Sequence, residues 1–155
     1  MSQANVDIIR AGFEAWNAGE EIDAYLSRFH PQLIYNPRAD EPDPSPHIGR
    51  DAYERLVRGF VDSFSEVTFE VLELIDAGDR VIVPTVLHAR MRDSEAEVSD
   101  KYVFVYKVAD GLIVEAWEYR TKEEALDAVE LSEAADAQAD SFKTSSRRRR
   151  SREDR

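Results

Sequence analysis

The sequence predicts an α+β fold: a cone in which helices pack on one face of a single curved, antiparallel sheet, leaving room for a pocket. Two observations carry this. Apolar residues recur at helical spacing as far as Phe64 and then switch to a period of two. The strand-period runs are punctuated by hairpin signals, Gly78-Asp79 and Asp110-Gly111. Consecutive hairpins make an antiparallel meander, and a single sheet is the simplest surface that buries three amphipathic helices in so short a chain.

Residues 5–18 place Val6, Ile9, Phe13 and Trp16 on one helical face, with Asn5 as the expected N-cap and Gly19 as the terminator. A short second helix begins near Glu21, directs Ile22, Tyr25, Leu26 and Phe29 inward, and is expected to stop at His30-Pro31. Leu33 to Tyr35 reads as a brief strand. Four prolines and three acids between Pro37 and Pro46 exclude a regular element, so this stretch is an exposed loop of the length that lids have. Gly49-Arg50-Asp51 opens the third helix, whose stripe is Tyr53, Leu56, Val57, Phe60 and Phe64. Four strands follow, around Val67–Val71, Val81–Leu87, Tyr102–Tyr106 and Leu112–Tyr119. An extra C-terminal helix is expected from about Lys122 to Ala135, giving one domain over 1–135. Residues 136–155 read as a disordered polar tail with a basic run.

Composition narrows the function classes. A chain of 155 residues, 43% hydrophobic, makes one domain with a real core. The absence of cysteine rules out disulfides and thiolate metal sites, and fits a reducing compartment. No basic-then-apolar leader precedes Asn5, and no apolar run approaches the roughly 18 residues that span a bilayer, so a cytoplasmic protein without a membrane partner is expected. The net charge of -12 is uneven: residues 143–155 hold seven of the 20 Lys+Arg, leaving 13 basic and 30 acidic residues on 1–142. Such a body repels nucleic acid and anionic lipid. The run Arg147–Arg150 with Arg152 has two readings, a solvated end lying on an acidic body or a docking element for nucleic acid. His30, His47 and His88 share neither ligand spacing nor an element, so no metal site is expected. Without a phosphate loop or nucleophile elbow, no cofactor is indicated.

Four short motifs, in order, carry a resemblance. Trp16-Asn17-Ala18-Gly19-Glu20, Ile48-Gly49-Arg50-Asp51-Ala52, Gly78-Asp79-Arg80-Val81 and Asp110-Gly111-Leu112-Ile113 ahead of Trp117 resemble the SnoaL-like branch of the nuclear transport factor 2-like superfamily, over about residues 5–131. The resemblance implies a cone of three N-terminal helices around a bent sheet, a pocket between them, and a homodimer formed through the sheet. It implies no single activity, since the relatives include ketosteroid isomerases, polyketide cyclases, epoxide hydrolases, dehydratases and non-catalytic binders. The ketosteroid isomerase pattern departs here at two positions. Its general-base Asp before a Pro corresponds to Asn36-Pro37, and its helix-one Tyr falls at or near Gly12. An amide accepts no proton at neutral pH, which argues against that isomerase route.

His88 and Asp100 are the candidate acid/base pair. A turn centred on Ser94 sets them opposite one another on one face, where a carboxylate would orient the imidazole as a base. The same residues also fit a solvated strand-end His beside an acidic turn. Polyketide cyclases of the family use a pocket His and Asp, but their Asp lies deeper, where Val103 and Phe104 stand. Trp16, Tyr35, Asn36, Trp117 and Tyr119 are the candidate pocket residues, the aromatics being equally readable as core. Glu115 and Glu118 face opposite ways, and alternation with Trp117 favours Glu115 as the inward one. Three functions remain open: a binder of a small apolar or aromatic molecule; a cofactor-independent isomerase, cyclase or hydrolase using His88 and Asp100, with Tyr35 or Tyr119 as donor; and a non-catalytic dimeric interaction module with a basic tail.

Overall fold

The computed structural model describes residues 2–153, with side-chain environments for 3–139. The elements run α1 (Ser2–Asn17), α2 (Ile22–Leu26), β1 (Phe29–Asn36), β2 (His47–Ile48), α3 (Arg50–Ser63), β3 (Phe64–Val71), β4 (Ile75–Ala77), β5 (Arg80–Met91), β6 (Glu97–Ala109), β7 (Leu112–Tyr119) and α4 (Lys122–Glu153). The fold is mixed α+β, with a curled open sheet and four helices. Strand order is β2-β1-β7-β6-β5-β3, with β4 pairing separately on β5. β3, β5, β6 and β7 pair antiparallel in the expected meander, whereas β1 joins β7 in parallel. The chain divides into two compact units, Met1–Ala125 and Leu126–Arg155. The second unit is the continuation of α4. The helix was expected to stop near Ala135, but residues 136–153 contain neither Gly nor Pro to end it and it continues to Glu153. Side chains of 140–155, including the basic run, lie outside the described residues.

Within the first unit, α1 ends as its Gly19 requires. Gly19 N–H donates to Trp16 O and Glu20 N–H to Ala15 O, both at 3.0 Å, with Gly19 at φ 82°. The Asn17 side chain then ties α1 to the sheet, donating to Phe69 O at 2.8 Å and accepting from Phe69 N–H at 2.9 Å. The Trp16-Asn17 motif is therefore an anchor between helix and strand. α2 is shorter than expected, because Phe29 already belongs to β1 and is 1% exposed there. Pro31 falls in the stretch of β1 where the register to β7 shifts, the place in a strand where a missing N–H is tolerated. The Pro-rich stretch 37–46 has no regular structure, as expected. Asp110 (φ 52°) and Gly111 (φ 80°) form the tight β6–β7 turn.

Ile9, Phe29, Leu33, Val81 and Val83 are at most 2% exposed and form the floor of the core between helices and sheet. Burying side chains of this size stabilises by roughly 1.5–3 kcal/mol each.

Candidate functional site

A cavity of about 290 Å³ lies between α1, α2, α3 and the concave face of the sheet. Its wall is aromatic because both contributing periodicities aim rings inward. α1 supplies Phe13 and Trp16, α2 Tyr25, and α3 Tyr53 and Phe60. From the sheet, Phe69 comes from β3, Tyr35 from β1, and Tyr102, Phe104 and Tyr106 alternate along β6. The rings are mutually packed: Tyr35 stacks on Tyr53 at 4.6 Å, Tyr102 and Phe104 stack at 5.9 Å, and Trp16 meets Tyr25 edge-on at 5.0 Å. The mouth is formed by Glu41, Pro42 and Asp43 of the loop and by His47.

Polar groups on this wall are few and placed. Tyr25 and Tyr53 hydroxyls hydrogen-bond to each other at 3.0 Å. Burial pushes the Tyr25 phenol up to about 12 and the Tyr53 phenol far above its usual range, so both stay protonated at neutral pH. The Trp16 indole N–H donates to Val67 O at 3.2 Å, and Arg28 donates to both Glu20 carboxylate oxygens at 3.1 Å. Glu118 presents a carboxyl to the cavity. Its Oε2 accepts a hydrogen bond from Tyr35 Oη, and its Oε1 accepts from the Arg38 backbone N–H at 3.3 Å. Desolvation raises the Glu118 pKa above its ordinary value, against the two hydrogen bonds, which lower it. Burial and the adjacent carboxylate likewise hold the Tyr35 phenol far above its usual range.

Arg38 fastens the loop over this end. It is only 9% exposed, donates to Lys101 O at 2.8 Å, pairs with Asp40 at 3.0 Å and Asp100 at 3.2 Å, and lies 4.3 Å over the Tyr102 ring. Its guanidinium is thus bound to the loop and the rim of β6, and from there its charge lowers the Glu118 pKa against the desolvation.

The expected site residues separate into two groups. Trp16 and Tyr35 are on the cavity wall, and so is Gly12. The proposed facing of His88 and Asp100 is corrected. Arg90 pairs with Glu97, which centres the turn between Asp93 and Ser94, so His88 lies opposite Ser99 and Asp100 opposite Leu87. One residue of slip puts the two on opposite faces. His88 contacts Glu70 at 3.2 Å and Ser99 at 3.3 Å, with about half its side chain exposed, while Asp100 sits at the rim with Arg38.

The inward parity of β7 is also corrected. A register shift between Lys107 and Val108 moves the β6–β7 pairing by one residue, so Phe104 opposes Glu118 and Tyr106 opposes Ala116. Trp117 pairs with Val105 and Asn36, and Tyr119 with Val103, on the other face. Asn36, Glu115, Trp117 and Tyr119 therefore do not line the cavity: Asn36 Nδ2 donates to Ala116 O at 2.9 Å and Glu115 Oε2 at 3.2 Å, and Trp117 carries Arg80 at 5.6 Å. Glu118 was the residue missed. The signal present in the sequence was its even spacing from Ala116, the one small residue of a strand whose other face carries the bulky Trp117 and Tyr119.

Among the described residues no cluster of three or more potential metal ligands occurs, and no helix is long and apolar enough to cross a membrane.

The α+β fold encloses an aromatic cavity between helices and sheet, and comparison with known proteins gives its family. Residues 9–116 match the SnoaL-like domain, and the chain belongs to that family. No curated protein matches it. Among solved structures it is similar to TerC co-crystallised with polyporic acid (TM-score 0.64, 15% identity, 82% of this chain and 98% of that one). It is also similar to AclR, a putative hydroxylase from Streptomyces galilaeus (TM-score 0.63, 18% identity, 76% and 78%). A third is IdmH, a putative polyketide cyclase from Streptomyces antibioticus (TM-score 0.61, 21% identity, 72% and 88%). At these identities the likenesses show the fold alone.

Proposed function

We propose that the protein binds a small, largely apolar or aromatic molecule in the cavity between the helices and the concave sheet face. The observation that carries this is the cavity's lining: about 290 Å³ walled by packed aromatic rings, with a carboxyl and a few phenols as its orienting groups. The polyporic acid in TerC supports a small-molecule pocket in this fold. Trp16 is on the wall and Trp117 is outside it, and these are the only two tryptophans. Replacing Trp117 by Phe leaves Trp16 as a reporter. A panel of planar aromatic compounds titrated into Trp117→Phe is expected to contain members that quench or shift the Trp16 emission saturably. A panel in which no member does so at millimolar concentration removes this reading.

A second reading, that bound substrate also undergoes proton transfer, is favoured by Glu118. It accepts two hydrogen bonds at the cavity wall, and desolvation raises its pKa, which makes its carboxylate a stronger base than that of an exposed glutamate. Turnover of a hit by the wild type that survives in Glu118→Gln at unchanged affinity would exclude Glu118 as the base.

A further inference from the structure

Glu118 presents an electrostatic problem that the protein's own side chains leave open. Both carboxylate oxygens accept hydrogen bonds from neutral donors, Tyr35 Oη and the Arg38 backbone N–H. Among the described residues no basic side chain lies within 4.0 Å of it. Arg28 of the cavity wall pairs with Glu20, and the Arg38 guanidinium is bound to Asp40, Asp100 and Lys101 O. Arg38 acts on Glu118 only from beyond that distance, while paired with Asp40 and Asp100, so a charge drawn partly out of water is incompletely countered, and a neutral apolar ligand that displaced the remaining water would raise the cost.

The surroundings favour one kind of compensation. Glu118 shares the cavity wall with Tyr53, Tyr102 and Tyr106, and its charge acts on their hydroxyls, so a group bound beside the carboxylate also meets a wall of electron-rich rings. Two more acids, Glu41 and Asp43, line the mouth. An ammonium group gains from the carboxylate and from the ring faces together, and the -12 net charge of the chain draws cations toward the opening.

We propose that the cavity's ligand carries a protonated or quaternary amine, with its positive charge set against Glu118 on the wall that Tyr53, Tyr102 and Tyr106 share. This rests on the small-molecule reading above and narrows it to organic cations with an apolar or aromatic body.

The test uses a pair of probes that share a shape and differ in charge, choline and 3,3-dimethylbutan-1-ol, titrated into the full chain while the two indole N–H signals are followed by NMR and assigned with Trp117→Phe. Choline is expected to shift the Trp16 signal saturably and to bind about tenfold or more tightly than the neutral alcohol. Glu118→Gln is expected to abolish that preference, weakening choline and not the alcohol. Equal binding of the two probes by the wild type overturns the inference, and this arm needs no variant to fold. Retention of the preference by a folded Glu118→Gln also overturns it, since the charge would then be read elsewhere. If neither probe binds while a neutral aromatic such as 2-naphthol shifts Trp16, the cation assignment falls and the pocket reading stands. If nothing shifts Trp16, both fall.

Discussion

Glu118 and Tyr35 face each other from neighbouring strands at one end of an aromatic cavity, and the carboxyl's environment makes the stability of the whole chain depend on pH. Because desolvation raises the folded-state pKa of Glu118 above its ordinary 4.5, its contribution to stability is fully present below that value and is lost as pH rises through the folded pKa. Glu118→Gln removes this loss. Urea denaturation of the two proteins from pH 4.5 to pH 8 is therefore expected to show the variant gaining on the wild type as pH rises, and parallel curves would show that ionising Glu118 carries no penalty. The same residue marks the limit of single-residue reading. Tyr35 and Trp16 were identifiable as cavity aromatics from their helical and strand periods, because a period states which residues share a face. Whether Glu115 or Glu118 faces inward depended on a register shift opposite Val108, and a bulge leaves no reliable mark in the run of residues that carries it.

At the scale of elements, the loop between β1 and β2 meets the β5–β6 hairpin through Arg38, beside the Tyr102 hydroxyl that donates to Glu41 at 3.4 Å. Arg38 joins Asp40 of the loop to Asp100 and Lys101 O of β6 while covering the Tyr102 ring. Replacing it by Met keeps much of the apolar stem and removes the charged hydrogen bonds. Arg38→Met is expected to cost about 2 kcal/mol, since hydrogen bonds to charged groups contribute roughly 1.5–3 kcal/mol and the acids released here remain in water. Amide exchange should quicken across residues 39–45 and stay slow in the centres of β5 and β6; uniform quickening would mean that Arg38 holds the core rather than the loop. The helices, the meander and the Pro-rich loop were all legible from periodicity and turn residues. The two-residue β2 and three-residue β4 were not, for segments so short contain no period, and the parallel docking of β1 on β7 is a long-range pairing that neither strand announces locally.

For the molecule as a whole, the dominant collective term is charge. Thirty acids against 13 bases on residues 1–142 repel one another, and salt screens that repulsion over a Debye length of about 10 Å at 0.1 M. The melting temperature is expected to rise between 10 and 150 mM NaCl, with the larger part of the gain at the low end. A flat or falling response would mean that local ion pairs such as Arg28–Glu20 and Arg58–Asp23 outweigh the net repulsion. The acidic field also bears on function, because it favours cations at a mouth already lined by Glu41 and Asp43.

By itself the sequence determined the fold class, the family and two rings of the aromatic wall, Trp16 and Tyr35, because binary patterning, glycine turns and proline breaks act locally and in order along the chain. Only the tertiary structure decided which acid enters the cavity, why His88 and Asp100 stand apart, and where Trp117 and Tyr119 point. Each of those outcomes turns on strand register, and in a structure of period two a shift of one residue exchanges the two faces of a sheet.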